Sequence, residues 1–432
     1  MKAVISNRIY LNADVELKSR LRSILTYKIP TYVSGKIHLK RECLLKTINS
    51  KIVSIPSGRV DLIPEGWEIV DKTVNNPVEF PEFKFSLREK QQEIYNRVDS
   101  SCIINANPSW GKTFTGIAIA TKLKQKTLIV VHTVFLREQW EREIEKTLGI
   151  SPGIIGSGKF NTEPPIVVAN IQTLGKSFNK IASLFGTIII DEAHHTPAST
   201  FFKILDTCKA KYKIGLSGTL ERKDGYHVIL KDVFSPKIYI PAKENALTPT
   251  CIMVPTNIVF NDDNSIPWAH RVTELLSNKE YLNIVMALID AQTQRGHKLL
   301  VVSDRNDILH YLTEIFEDDS VCVVGTTSTE ERNQLESLLR SGRINKIFGS
   351  TTIFKEGISI NCLSSAMSLT PINNDSLLEQ LIGRICREEE GKKSPEYIDL
   401  QLEGRIGRNQ AQARLGLYLK QGYTTSYLRN PL

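Results

Sequence analysis

The chain has 432 residues, 41% hydrophobic and 24% charged, with a formal net charge of +8 at pH 7. That length allows two or three domains with cores of their own, and the composition excludes a disordered or fibrous chain. No run of eighteen apolar residues occurs, which excludes a helical membrane span, and none of the seven cysteines falls in a CxxC pair, which argues against a disulfide framework or structural zinc and for a reducing compartment.

The opening residues, MKAVISNRIYLNADV, lack the apolar core and cleavage site of a secretory leader. KAVISNRIYL reads as a strand. ELKSRLRSILTYK reads as a short helix with Leu17, Leu21, Ile24 and Leu25 on one side, and HLKRECLLKTI as a further helix. Residues 1–60 carry twelve Lys/Arg against three acids, a balance of +9 that leaves −1 on the other 372 residues. A basic module on a near-neutral body suits a polyanion partner; a solubilising surface is the plain alternative. Tyr10, Tyr27, Tyr32 and Trp67 read as core residues in preference to base-stacking ones. Turn and breaker residues in IPEGWEIVDKTVNNPVEFPEF mark the end of a small mixed α+β domain, residues 1–84.

From residue 85 the rhythm changes. SLREKQQEIYNRV is a helix, CIINA a strand, FTGIAIATKLK a helix, TLIVVH a strand and FLREQWEREIEKTL a helix. PIVVANIQT, GTIIIDEAHH and YKIGLSGT add three strand-like runs. Short apolar strands alternating with helices predict a parallel sheet covered on both faces, over 85–240. Residues 241–270 read as a connection with one apolar strand inside it. The alternation resumes over 271–432 as a second α/β domain, through KLLVVS, DILHYLTEIF, VCVVG, NKIFGSTTIF and SLLEQLIGRICR, and closes on a last strand and a last helix.

The chemistry centres on NPSWGKTFTG, residues 107–116. A phosphate loop needs a strand, a tight turn and a helix N-terminus, so that backbone N–H groups face phosphate oxygens while Lys112 neutralises them and Thr113 holds a metal ion. Ala106 stands where the general pattern has its first glycine, and Trp110 is expected to point outward, because the loop recognises through its backbone. Downstream, TIIIDEAHH puts Asp191 and Glu192 at the end of a very apolar strand, which is costly unless they have a task. Asp191 is expected to hold Mg²⁺ bound to Thr113, directly or through water, and Glu192 to orient the attacking water and accept its proton. DEAHH is not the zinc-protease HExxH, because its glutamate and histidine are in the wrong order.

On these residues the chain resembles the superfamily 2 helicases and translocases, from about Leu87 to Arg387. The carrying motifs are LREKQQ, Ala106–Thr113, VVHTVFLREQW, VANIQTL, DEAH, LSGTLERKDG, STTIFKEGISI and QLIGRICR, in the family's order. The subgroup with XPB-like repair helicases and phage UvsW-like branch-remodelling helicases is the most similar. Ser217–Gly218–Thr219 departs from the Thr-Ala-Thr of many relatives but keeps hydroxyls at both ends. Cys386, between the last two arginines, has no assigned catalytic role.

The resemblance implies two RecA-like parallel-sheet motor domains with ATP in the cleft between them. Arg88 and Gln91 would read the adenine, with Ser109, Gly111, Lys112 and Thr113 around the phosphates. Gln380, Arg384 and Arg387 would come from the second domain, the arginines on one helix face. His132, Thr133, Arg137, Gln172, Thr173 and Thr352 would meet nucleic-acid phosphates, and Ser217 and Thr219 would couple hydrolysis to motion. The implied activity is an ATP-dependent DNA helicase acting on forks and junctions in replication, recombination or repair, working as a monomer in the cytoplasm, that of a host cell if the source is a bacteriophage. A double-stranded DNA translocase, a restriction-system motor subunit, an RNA helicase and a non-catalytic nucleic-acid-binding scaffold are the competing readings.

Overall fold

The computed structural model describes residues 1–33, 36–107, 110–191, 198–218, 225–242, 247–356 and 360–428. The chain divides into two units, Met1–Lys243 and Glu244–Leu432.

The first unit opens with a five-stranded sheet in the order Lys46–Thr47, Ile52–Pro56, Arg8–Asn12, Lys2–Ile5, Glu68–Asp71. KAVISNRIYL is therefore two antiparallel strands, Ala3 facing Leu11 and Ile5 facing Ile9. Asp14 caps the helix Val15–Ile24, its carboxylate accepting from the Leu17 N–H at 2.8 Å. Leu21 and Leu25 bury under the sheet with Ile9, Leu11, Val53 and Ile55, and Trp67 packs against the same cluster.

HLKRECLLKTI is not a helix. Lys36–Cys43 pairs antiparallel with Thr26–Val33, and Lys46–Thr47 joins the five-stranded sheet. The Leu, Lys and Glu content favours helix locally, but the preceding TYKIPTYV is rich in β-branched and aromatic residues. Cross-strand pairing with it outweighs the local preference.

This N-terminal region is fastened to the α/β fold of the first unit by charge. The Arg59 guanidinium meets fully buried Asp232 at 2.7 Å and also forks onto Asp61. The Gly58 N–H donates to the Asp232 carbonyl at 3.0 Å. Arg8, buried, and Lys46 converge on Asp206, each at 2.5 Å. Burial alone would raise the Asp206 carboxyl, but the hydrogen bond from Lys46 and the charge of Arg8 outweigh it and hold the group below the usual carboxylate range. The basic excess of residues 1–60 is thus partly internal. Arg20, Arg22, Lys28, Arg41 and Lys51 remain exposed. Beyond Asp71 the backbone runs along the same α/β fold: the N–H groups of Val74, Val78 and Lys84 donate to the carbonyls of Lys209, Lys124 and Thr147.

The α/β sheet of the first unit has eight strands, ordered Lys159–Phe160, Gly153–Gly156, Ile166–Asn170, Thr127–Val131, Thr187–Asp191, Tyr212–Ser217, Cys102–Asn105, Ile238–Tyr239. All pairs are parallel except the first. The strands bury both faces, which is why their sequences are continuously apolar. Leu128, Val130, Ile188 and Ile190 face one core, and Ile129, Val131 and Ile189 the other.

The second unit holds a seven-stranded parallel sheet, ordered Ser320–Val323, Lys346–Ser350, Leu299–Ser303, Ser365–Ser368, Glu396–Glu403, Thr250–Val259, Thr424–Tyr427. The apolar strand expected inside a connecting segment, Thr250–Val259, is an interior strand of this sheet. The final helix, Gly404–Gln421, is locked onto it by Arg414, 2.9 Å from Asp399, and by the Tyr418 hydroxyl, which donates to Asp399 at 2.8 Å. Both α/β folds are RecA-like layers, and the N-terminal region is mixed α+β. Among the described residues no helix is long and apolar enough to cross a membrane.

Candidate nucleotide and nucleic-acid site

Ligands of parallel α/β sheets bind beyond the carboxyl ends of the strands. In the first unit those ends include Asn105, Val131, Asn170, Asp191 and Ser217. The chain leaves Asn105 into the glycine loop and enters the helix Lys112–Leu123 through Gly111, in the left-handed region at φ 89°. That φ favours glycine, and a Cβ on Gly111 would lie 2.5 Å from the Gln91 amide nitrogen, so Gln91 would have to shift. Gln91 is buried and donates to the Trp110 carbonyl at 2.7 Å; Arg88 donates to the same oxygen, and its backbone N–H donates to the Gln91 side chain. Arg88 and Gln91 therefore brace the loop directly.

Trp110 corrects an expectation. It is 3% exposed and packs inward with Ile104, Ile117 and Leu136. Its ring gains more from the core than from water, while its carbonyl receives Arg88 and Gln91. The Lys112 ammonium donates to the Ala106 carbonyl at 3.2 Å, folding back along the loop, and Thr113 at the first turn is half-buried. Ser109 lies outside the described residues. Gly111→Ala should place an L-residue in left-handed backbone at about 1–2 kcal/mol and displace Gln91. A melting point about 2–8 °C lower and weaker nucleotide binding are the expected results, read by thermal melt and titration.

Asp191 ends the strand two places from Cys102–Asn105 in the sheet, with Tyr212–Ser217 between them. It is 4% exposed, and the Trp140 indole donates to its Oδ2 at 2.8 Å. Ser217 is fully buried on the intervening strand, and its carbonyl accepts the Ala106 N–H at 2.9 Å. Glu192 and Thr219 lie outside the described residues. A strand-end carboxylate and the Thr113 hydroxyl on neighbouring elements are hard oxygen donors, the kind Mg²⁺ takes in small number beside substrate phosphates. Among the described residues no cluster of three or more His, Cys, Asp or Glu offers an all-protein metal cage.

Further along the same edge, Thr127–Val131 pairs with Ile166–Asn170, which sets the residues after them side by side. Thr133 caps the helix Val134–Leu148, and the exposed Gln172 side chain donates to the His132 carbonyl at 3.0 Å. Thr173 is exposed beside it. Arg137, expected to meet nucleic-acid phosphates, is turned inward instead. It is buried, bonded to Glu141 at 2.8 Å, Ser157 at 2.9 Å and Asn170 at 3.0 Å, and so ties strand ends together.

In the second unit, Thr352 is exposed in the first turn of Thr351–Glu356. Gln380 is buried on the helix Asp375–Ile385, its side-chain oxygen without a hydrogen-bond partner among the described residues. Such an atom costs about 1–3 kcal/mol unless a ligand meets it. Arg384 lies in the last turn, but Arg387 lies beyond the helix end, so the two do not share a helical face. The acids Glu388, Glu389 and Glu390 that follow oppose the negative end of the helix dipole and disfavour its extension. Arg387 donates to Asn361 at 3.1 Å, and burial pushes its guanidinium down to about 10, still charged at neutral pH.

A glycine loop on a helix N-terminus and a buried carboxylate on the same sheet edge, with a second RecA-like fold following, define a nucleotide-driven motor. Comparison with known proteins sharpens that class. The model of the type III restriction enzyme res subunit matches residues 84–222, and that of the helicase conserved C-terminal domain matches residues 280–389. The chain is 40% identical to "Probable helicase D10" of Escherichia phage T5, over 98% of this chain and 96% of that protein. It is 31% identical to "DNA 3'-5' translocase XPB2" of Sulfurisphaera tokodaii, over 74% of this chain and 83% of that one. Among solved structures, the Pyrococcus furiosus Hef helicase domain shares the fold at 14% identity, with a TM-score of 0.52 over 76% of this chain and 98% of that one. The chain belongs to the superfamily 2 helicases, in the branch that includes this phage T5 relative, and is an ATP-dependent helicase acting on nucleic acid.

Trp140 had escaped sequence reasoning as a site residue. Two signals were there: it closes the quoted VVHTVFLREQW motif, and it lies with Leu136 and Ile144 on the buried side of the helix Val134–Leu148.

Proposed function

We propose that the chain hydrolyses ATP with Mg²⁺ to remodel forked and branched DNA. The observation that carries the reading is the convergence of Gly111, Lys112, Thr113 and Asp191 on one sheet edge, with exposed Gln172 and Thr173 further along it. Lys112 neutralises phosphate charge as it develops, and the N–H groups of the helix N-terminus hold phosphate oxygens. Thr113 and Asp191 would hold the metal ion, which would supply charge neutralisation at the phosphates. Glu192 orients the attacking water and accepts its proton. Gln380, Arg384 and Arg387 of the second unit are assigned to the γ-phosphate, Arg88 and Gln91 to the adenine side of the loop they brace, and Ser217 and Thr219 to coupling.

His132, Thr133, Gln172, Thr173 and Thr352 are assigned to the nucleic-acid backbone, where polar contacts position without reading sequence. DNA is favoured because the XPB2 relative is named a DNA translocase. Exposed Lys28 and Arg41 face each other across the N-terminal hairpin, a pairing that a polyanion would relieve. Replacing both with Gln should lower the salt slope of DNA binding by about 2, measured by titration at several ionic strengths; an unchanged slope removes the hairpin from the interface.

A second reading, a double-stranded DNA translocase or restriction-system motor subunit, is favoured by the res-subunit match. ATP hydrolysis and strand release by the full chain on matched single strand, duplex, fork and four-way junction separate the two. Fork- or junction-selective release supports remodelling. Equal hydrolysis on plain duplex, with no strand released from any branched substrate, supports translocation.

A further inference from the structure

We propose that Trp140 is a positioning residue for the Asp191 carboxylate, and that its indole N–H sets the orientation in which Asp191 meets the metal ion. This deepens, and rests on, the reading of Asp191 as a metal-holding residue.

The geometry is specific. Trp140 is 0% exposed, and its single polar atom is spent on Asp191 Oδ2 at 2.8 Å. Its six-membered ring lies against the helix that follows the phosphate loop: a Cβ built on Gly116 would fall 2.8 Å from the far ring carbon. One indole therefore touches two elements, the helix that follows the glycine loop at Gly116 and the strand that ends at Asp191. It comes from a third element, the helix Val134–Leu148, whose N-cap is Thr133.

The choice of donor suits the task. A buried carboxylate needs a hydrogen bond, since leaving it bare in a low-dielectric site is costly. An Arg or Lys donor would neutralise the charge a cation must feel. Indole has one donor and no charge, so it satisfies one oxygen and fixes the carboxylate plane while the negative charge is retained. Groups that orient metal-holding side chains typically change metal affinity about 10–100-fold when removed.

The test uses the full chain. Trp140→Phe keeps a buried ring and deletes the donor; benzothienylalanine at the same position keeps the indole shape and deletes only the N–H, which preserves the test if the Phe variant folds poorly. Equilibrium titration with a fluorescent ADP analogue, with and without Mg²⁺, gives the Mg²⁺-dependent gain in affinity, a readout independent of turnover. The expected result is that this gain falls about tenfold or more while metal-free nucleotide binding is kept, and that the loss disappears in an Asp191→Asn background, because both changes act through one carboxylate. The proposal is overturned if Asp191→Asn loses the gain and both Trp140 replacements keep it, or if the two losses simply add. Should Asp191→Asn itself keep the full gain, the metal reading of Asp191 fails first, and the positioning role with it.

Discussion

Lys112→Ala is expected to slow ATP hydrolysis at least ~100-fold while leaving most DNA affinity in place. Lys112 sits in the first turn of Lys112–Leu123, directly after Gly111, and its ammonium lies half-buried along the loop against the Ala106 carbonyl. A fixed positive charge at developing phosphate charge acts mainly in the transition state, where removing one such donor costs about 2.7 kcal/mol or more. The structural cost is small, because the loop keeps its other supports, Arg88 and Gln91 on the Trp110 carbonyl and Ala106 on Ser217. The residues assigned to DNA, Gln172 and Thr173, lie on a different strand end. Steady-state hydrolysis and a DNA titration on the same preparation check it. Hydrolysis equal to the parent's would remove the phosphate-loop assignment, and DNA affinity lost in parallel would mean that Lys112 holds the fold.

The two motor folds were legible because their signal is long and redundant. Thr127–Val131, Ile166–Asn170 and Thr187–Asp191 are apolar through their centres and alternate with helical stretches, the pattern of a doubly covered parallel sheet. The strand–turn–helix around Gly111 and the place of Asp191 at a strand end were legible because residue type and local context agree there. Illegible were features decided by partners distant in sequence. Lys36–Cys43 has the composition of a helix and becomes a strand because Thr26–Val33 is its neighbour. Trp110 reads as an obstruction in the loop until the apolar layer beneath it is seen. Arg137 reads as a nucleic-acid contact and Arg387 as a helix-face cation beside Arg384, and their specific oxygen partners within the fold are invisible to a pattern of charges. The basic excess of residues 1–60 was counted correctly, yet counting does not reveal that Arg8, Lys46 and Arg59 are turned toward carboxylates about 160–200 residues away.

That inward use of charge leads to the second large effect: Asp232→Ala should loosen the N-terminal region from the first motor fold. Asp232 is fully buried, and its partner Arg59 is nearly so. Removing one member of a buried pair typically costs about 3–5 kcal/mol, because the other charge is left desolvated. Asp61 still accepts from Arg59 and places the effect toward the low end. A first melting transition lower by on the order of 10 °C is expected, with Asp232→Ala combined with Arg59→Ala less damaging than the two single losses added. Acid should act at the neighbouring fastening. Asp206 is held below its ordinary carboxylate range in the fold, so its contribution is complete above the unfolded value of about 4 and is lost as pH falls through the lower folded one. Melting followed between pH 7 and pH 3 should therefore show the parent losing this contribution only below about pH 4, with Asp206→Asn lacking it throughout. An Asp232→Ala protein that melts with the parent would mean that Arg59 finds an equivalent partner in Asp61, and that the Gly58 hydrogen bond and the Asp206 fastening hold the N-terminal region without this ion pair.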